Sequence, residues 1–232
     1  MLQIGGFQKL TLLDYPGKVA ATLFTVGCNF RCPYCQNAAL VIPGRRLTLW
    51  DSEAVLTELG RRRKLLDGVC ISGGEPLLQS GLADFLCRLK DLGYSIKLDT
   101  NGSFPQRLQA LVRQGLVDYV AMDIKNAPAD YARTAGILPA LLEALTETKD
   151  WLLSGAVDYE FRTTVVRGYH TPERLAQLGA WIAGARRYYL QNCEDSGDLI
   201  QPGLSGFSRA ELETLAAAVR PLVPVVEIRG DK

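Results

Sequence analysis

The chain has 232 residues, a net charge of +1, 47% hydrophobic and 22% charged residues, which points to one α/β domain, 1–232, with a sizeable core. The near-neutral charge gives no sign of a nucleic-acid or membrane partner. No apolar run approaches the roughly 20 residues of a membrane helix, and Met1-Leu2-Gln3-Ile4-Gly5-Gly6 lacks the basic and apolar regions of a signal peptide, so a cytoplasmic protein is expected. In chain order, an N-terminal extension, 1–18, carries turn chemistry at Asp14-Tyr15-Pro16-Gly17. The apolar run 19–25 reads as the first strand and leads into a loop at 27–37. A helix capped by Thr48 or Asp51 runs to about 64, and its basic end, Arg61-Arg62-Arg63-Lys64, reads as a solvated face. Strand 69–72 is followed by Gly73-Gly74-Glu75-Pro76 and a helix over 78–92 that Gly93 stops. Strand 95–99 ends in Thr100-Asn101-Gly102, and a helix spans 105–114. Strand 118–123 is closed by Ile124-Lys125-Asn126. Helices at 128–134 and 138–151, strand 158–166, and a helix at 172–185 with Thr171 as cap and Pro172 in its first turn come next. Strand 188–191, a Gly-rich loop at 194–206, helix 209–219 and strand 223–228 complete the chain.

Strands and helices alternate at a period of roughly 25–30 residues, as in βαβ units. About six such units fit a partial TIM-like barrel, although periodicity alone also admits an open doubly wound sheet. The polar motifs fall at the C-terminal ends of predicted strands, the rim where parallel α/β proteins bind ligands.

The most informative stretch is Gly27-Cys28-Asn29-Phe30-Arg31-Cys32-Pro33-Tyr34-Cys35-Gln36-Asn37. It places three of the six cysteines at a spacing of C-x3-C-x2-C. Soft thiolates select iron–sulfur clusters, zinc or Cu(I). Structural zinc sites take four protein ligands, and so does a fully ligated [4Fe-4S] cluster. Three cysteines with no fourth ligand nearby therefore suggest a cluster with one open iron. Gly73 and Gly74 let backbone approach a ligand closely, and Glu75 adds an acceptor for a cationic group. Asp99, Thr100 and Asn101 form a second polar strand end, Asp123 and Lys125 a third, and two nearby aspartates suit a cation. Strand alternation admits Arg162 either pointing inward or as a surface arginine. Cys70, Cys87 and Cys193 read as small buried hydrophobes, and His170, the lone histidine, as a helix-entry residue.

The cysteine spacing, with Tyr34 before the last cysteine and Gly73-Gly74-Glu75-Pro76 downstream, resembles the radical S-adenosylmethionine (SAM) enzymes. Gly6-Phe7-Gln8-Lys9, Asp14-Tyr15-Pro16-Gly17-Lys18 and the cysteine loop look like the anaerobic ribonucleoside-triphosphate reductase activating proteins, and more loosely like pyruvate formate-lyase activating enzymes. The resemblance implies an α/β, open (β/α)6 radical SAM barrel. It implies that Cys28, Cys32 and Cys35 ligate a [4Fe-4S] cluster. It further implies that Tyr34, Gly73, Gly74, Glu75, Asp99, Thr100, Asn101, Asp123, Lys125 and Arg162 line a SAM site, with a cation near Asp99 and Asp123. Gln191 is the one late-strand candidate toward the adenosyl group. The implied partners are a glycyl-radical enzyme and a flavodoxin- or ferredoxin-type electron donor. The competing readings are a radical SAM enzyme for a small molecule and a structural zinc protein with Cys70 or His170 as fourth ligand.

Overall fold

A computed structural model describes residues 2–42, 44, 47–195 and 197–230. The chain packs as two compact units. One holds Met1–Asn29, Ala39–Thr100 and Phe104–Ala121; the other holds Phe30–Ala38, Asn101–Ser103 and Met122–Lys232.

In the first unit, strands β1 (Ile4–Thr11), β2 (Ala20–Thr25), β3 (Gly68–Gly73) and β4 (Ser95–Thr100) lie side by side in that order. β1 is antiparallel to β2, while β2, β3 and β4 are parallel. The parallel strands agree with the predicted ones to within one residue. Parallel strands are covered on both faces, so they read as continuous apolar runs. Leu23, Val69, Ile71, Ile96 and Leu98 are accordingly fully buried. β1 falls in the stretch read as an extension. Two glycines and Gln8-Lys9 hide it, because glycine weakens a strand signal. Those glycines serve packing: a Cβ on Gly5 would lie 2.5 Å from Leu40 Cδ2, and one on Gly6 would lie 3.1 Å from Phe24 Cδ2.

The short helix α1 (Ala38–Val41) follows the cysteine loop. In α2 (Ser52–Arg62), Asp51 is the cap and accepts from the Ala54 N–H at 3.0 Å. The predicted helix 78–92 divides into a 3-10 turn, Pro76–Leu78, and α3 (Leu82–Asp91), with Gly81 between them. α3 turns Leu82, Phe85, Leu86 and Leu89 inward. Cys87 lies off that stripe and is exposed, which corrects its reading as buried, whereas Cys70 and Cys193 are buried as expected. α4 (Pro105–Arg113) precedes β5 (Tyr119–Asp123), which carries the chain from the first unit to the second.

The second unit contains α5 (Pro128–Ala135), a 3-10 turn Pro139–Leu141, α6 (Leu142–Leu153), β6 (Asp158–Val165), α7 (Pro172–Trp181), β7 (Tyr188–Asn192), α8 (Arg209–Val219) and β8 (Val226–Arg229). β6, β7 and β8 are parallel neighbours, with Arg162 opposite Tyr189 and Gln191 opposite both Thr164 and Arg229. Thr171 caps α7, and Ser208 with Glu211 forms a capping box on α8. The loop 194–206 contains no helix or strand, and its position 196 lies outside the described residues. No helix among the described residues is long and apolar enough to cross a membrane.

Candidate functional site

In the first unit the chain leaves β2 through Gly27, whose φ is +89°, directly before half-buried Cys28. The end of β3 is seated against it. The Gly74 N–H donates to Thr25 O at 2.9 Å and the Glu75 N–H to Gly27 O at 2.8 Å. A Cβ on Gly74 would lie 1.9 Å from Gly27 O, and one on Gly73, at φ +112°, would lie 2.3 Å from Thr25 N. The glycine pair thus admits the protein's own backbone: it seats the start of the cysteine loop. Glu75 is fully buried. Its Oε1 accepts from the Leu77 N–H at 3.1 Å, capping the 3-10 turn, and from the Thr100 hydroxyl at 2.9 Å. Two of the predicted site residues, Glu75 and Thr100, are therefore bonded to each other. Asp99 accepts a charged hydrogen bond from Lys97, a fully buried lysine that sequence reasoning missed. Lys97 and Asp99 are two apart on β4 and so share a face.

In the second unit the loop continues through Cys32, buried, and Cys35, half-buried. The Cys35 N–H donates to Cys32 O at 3.0 Å, forming a tight turn. The loop is moored to the C-terminal end of α5, where the Arg31 N–H and the Cys32 thiol reach Ala135 O at 3.1 and 3.6 Å. Gly136 ends α5 in the left-handed region at φ +61°, and a Cβ there would lie 2.3 Å from Arg31 O. The Gln201 N–H to Pro33 O, at 2.8 Å, is a further tie. Burial pushes the Cys35 thiol pKa up, with a backbone hydrogen bond at Asn37 opposing it.

Tyr34 is buried, its ring 6.0 Å from Tyr169 and 6.4 Å edge-on to His170. Its hydroxyl is buried without a hydrogen-bond partner among the described residues. Burial raises its pKa well above the usual value, and Cys32 adds to this while Lys125 opposes it. Asp123, at the end of β5, is doubly paired: Oδ1 accepts from Arg162 Nε and Oδ2 from Lys125 Nζ, both at 3.0 Å. Burial alone would lower the Lys125 pKa; Asp123, then Cys32 and Tyr34, outweigh it and hold the ammonium charged. Cys32, Tyr34, Asp123 and Lys125 thus interact electrostatically within this unit, and Arg162 joins them through Asp123. Asn101 forms an Asx turn, accepting from the Ser103 N–H at 3.0 Å and the Ser103 hydroxyl at 2.6 Å. Both aspartates expected to hold a cation already carry basic partners from this chain: Lys97 for Asp99, and Lys125 with Arg162 for Asp123.

His170 and Asn126 were not among the predicted site residues. Both are buried polar groups beside the Asp123–Lys125 turn. Nδ2 of Asn126 donates to the Thr134 hydroxyl at 2.9 Å and to Tyr169 O at 3.1 Å, and its Oδ1 accepts from the Ala127 N–H at 2.8 Å. Both ring nitrogens of His170 are engaged with backbone, Nδ1 by the Val166 N–H at 3.0 Å and Nε2 at Lys125 O, 2.8 Å away. That removes His170 as the fourth ligand of a zinc site. The only available signal was a lone histidine placed directly before a Thr-Pro helix start.

Among the described residues, no group of three or more His, Cys, Asp or Glu side chains is gathered about a single ion position. A cubane cluster asks for a different arrangement, one thiolate on each of several irons. The residues fit it by donor chemistry: three cysteines outside any disulfide on one irregular loop, and a tyrosine, Tyr34, whose buried hydroxyl has no partner among the described residues and which stands between Cys32 and Cys35 in the sequence.

The Radical SAM superfamily model matches residues 22–169, which include every predicted site residue except the late-strand candidate Gln191. The chain is 36% identical over 196 residues to the Methanocaldococcus jannaschii protein named "Putative glycyl-radical enzyme activating enzyme", covering 82% of this chain and 80% of that one. It is 32% identical over 136 residues to the pyruvate formate-lyase-activating enzyme of Staphylococcus aureus, covering 53% of each. Among solved structures, SuiB of Streptococcus suis bound to S-adenosylmethionine matches with a TM-score of 0.69 at 13% identity, over 88% of this chain and 48% of that one. QueE of Escherichia coli matches with a TM-score of 0.56 at 18% identity, over 99% and 94%. At these identities the structural likeness is one of fold, the α/β fold read from the sequence as a partial TIM-like barrel. The chain belongs to the radical SAM superfamily, and is an enzyme of [4Fe-4S]- and S-adenosyl-L-methionine-dependent radical chemistry.

Proposed function

We propose that this enzyme activates a glycyl-radical enzyme, with anaerobic ribonucleoside-triphosphate reductase as its partner. The observation that carries the reading is the 36% identity to a protein named as such an activating enzyme, over 80% of that protein's length. Cys28, Cys32 and Cys35 would hold three irons of the cluster. Cluster and SAM, when bound, would supply the radical chemistry of reductive SAM cleavage, with an electron from a flavodoxin- or ferredoxin-type donor, directed at a glycine of the partner. The chain's own residues bind and orient. Lys125 and Arg162 offer positive charge to the SAM carboxylate, and Asp99, Asp123 and Glu75 offer acceptors to its ammonium and ribose. Tyr34 supplies the unpartnered hydroxyl, and Gly73, Gly74, Thr100 and Asn101 complete the backbone frame. The ammonium of Lys97 beside Asp99 and the Lys125–Arg162 pair around Asp123 take the electrostatic place of the cation suggested by the sequence. Six cysteines, none of them in a disulfide, suit the reducing cytoplasm.

The test is anaerobic reconstitution with iron and sulfide, followed by dithionite and SAM. Formation of 5′-deoxyadenosine that is lost in Cys32→Ala is expected. Addition of the anaerobic reductase is expected to give a glycyl-radical EPR doublet. An active core with no doublet overturns the choice of partner. The matches to pyruvate formate-lyase-activating enzyme and to the fold of QueE make pyruvate formate-lyase and a small-molecule substrate the next two to assay. A protein that leaves SAM intact overturns the whole reading.

A further inference from the structure

The turn Asp123-Ile124-Lys125 is held in an unusual way. Three consecutive backbone carbonyls each accept from a different side chain: Asp123 O from the Tyr131 hydroxyl at 3.2 Å, Ile124 O from the Thr163 hydroxyl at 2.6 Å, and Lys125 O from His170 Nε2 at 2.8 Å. The Ile124 N–H is also taken, by Arg162 O at 2.8 Å. The donors come from α5, from β6 and from the segment that follows β6. A connector between a strand and a helix normally leaves its carbonyls to water. Side chains replace water here carbonyl by carbonyl, so the backbone from 123 to 125 has little freedom. The two side chains this turn displays are Asp123 and Lys125, joined to each other at 3.0 Å.

We infer that His170 is a positioning residue for Lys125: its neutral ring fixes the Lys125 carbonyl, and through it the place of the Lys125 ammonium. This rests on the reading above that Lys125 meets the SAM carboxylate. The tautomer follows from the partners. The Val166 N–H can only donate, so Nδ1 accepts and the proton sits on Nε2, which donates to Lys125 O. The ring is 2% exposed and is fixed from both ends. Only a side chain with an acceptor and a donor about an imidazole's width apart does this work. Glutamine carries both, whereas leucine carries neither. Asn126 reinforces the same junction by donating to Tyr169 O, one residue before His170.

A purely structural histidine, anchoring the start of α7, makes a different prediction, so the test separates folding from ligand placement. Reconstituted wild type, His170→Leu, His170→Gln and Lys125→Met are compared in uncoupled 5′-deoxyadenosine formation. Hydrogen exchange of the backbone at 124–127 is followed in the same proteins. His170→Leu is expected to raise the KM for SAM about tenfold with kcat nearly unchanged, the loss of roughly one well-placed hydrogen bond to ligand placement. Exchange at 124–127 is expected to quicken in that variant, and His170→Gln to restore both. If His170→Leu does not fold, Thr163→Val removes the neighbouring donor and is expected to give the same KM shift. A wild-type KM in His170→Leu, with only the melting temperature lowered, overturns the inference. If Lys125→Met keeps the wild-type KM, the SAM-binding reading of Lys125 fails and the inference falls with it. Wild-type exchange in His170→Leu beside a raised KM for Lys125→Met overturns the inference alone.

Discussion

Two strand ends in this protein carry the same pair of residues in opposite order. β4 reads Lys97-Leu98-Asp99 just before its last residue, Thr100, and β5 ends at Asp123 and continues as Asp123-Ile124-Lys125. In the first, the lysine lies inside the strand, its side chain 1% exposed, and it is sealed against Asp99 and the Cys70 sulfur. In the second, the lysine lies just past the strand, 14% exposed, and its carboxylate is shared with Arg162. A residue inside a parallel strand is covered on both faces, so Lys97 serves the interior of its unit. A residue one step beyond is freed from the ladder and must be held by side chains, as Tyr131, Thr163 and His170 hold the second turn. The lesson is that one dipeptide separation produces a core counter-ion in one place and a presented charge in the other.

The largest effect that would break this contrast is on stability. Removing one partner of a buried ion pair leaves the other charge uncompensated, at about 3–5 kcal/mol. Lys97→Met should therefore lower the urea midpoint strongly, and Lys97→Met/Asp99→Asn should recover much of the loss. A mild Lys97→Met phenotype would place Lys97 with Lys125 and dissolve the distinction.

The second effect sharpens the contrast by asking whether backbone position matters equally in the cysteine loop. Gly136 combines φ +61° with a neighbour, Arg31 O, 2.3 Å from a notional Cβ. Gly136→Ala adds left-handed strain of about 1–2 kcal/mol to that clash, and should lower iron content per chain as Arg31 and Cys32 are displaced. Iron content equal to wild type would show that the loop tolerates the shift. Next comes Lys125→Met. It should cost less stability than Lys97→Met, because Asp123 keeps Arg162 as a partner, while raising the KM for SAM. A stability loss matching that of Lys97→Met would erase the difference between the two turns.

How much of this was legible in the sequence differs between the same features. The parallel strands and the caps of α2 and α7 were, because continuous apolar runs, Asp51 and Thr171-Pro172 are local signals. The match of residues 22–169 to the radical SAM family agrees with the cysteine spacing. Gly74 was visible as half of a motif, yet its place against Gly27 O was not, since that contact joins positions 47 apart in number. Gly136 performs the same service for Arg31 O and carries no motif, so it passed unnoticed. β1 was lost because its glycines answer to Leu40 and Phe24 and not to strand propensity. Lys97 was overlooked for the opposite reason: a lysine in a predicted strand reads as solvated, and only its burial beside Asp99 reveals it.

The smallest expected effect concerns pH and isolates His170 from the other ties on its turn. Burial lowers the His170 pKa below the usual 6.5; the backbone at Lys125 and Val166 and the Asp130 charge oppose this, while Arg174 adds to it. In the unfolded chain the ring titrates near 6.5. Between the folded and unfolded values the unfolded chain binds more protons, so stability rises with pH across that window. The contribution is fully present above about pH 6.5 and is lost as pH falls toward the folded value. Carboxylates in the rest of the chain also titrate on acidification, but they do so equally in His170→Gln, which lacks the imidazole. The melting temperature of wild type should therefore fall more steeply than that of His170→Gln between about pH 7.5 and pH 5.5. Parallel curves would mean that the imidazole keeps its proton equilibrium on folding, and hence that the ring is not locked neutral between Val166 and Lys125. A difference confined to that window, together with unchanged exchange at 124–127 in His170→Gln, would show the amide doing what the imidazole does and place the second turn's rigidity in its donors.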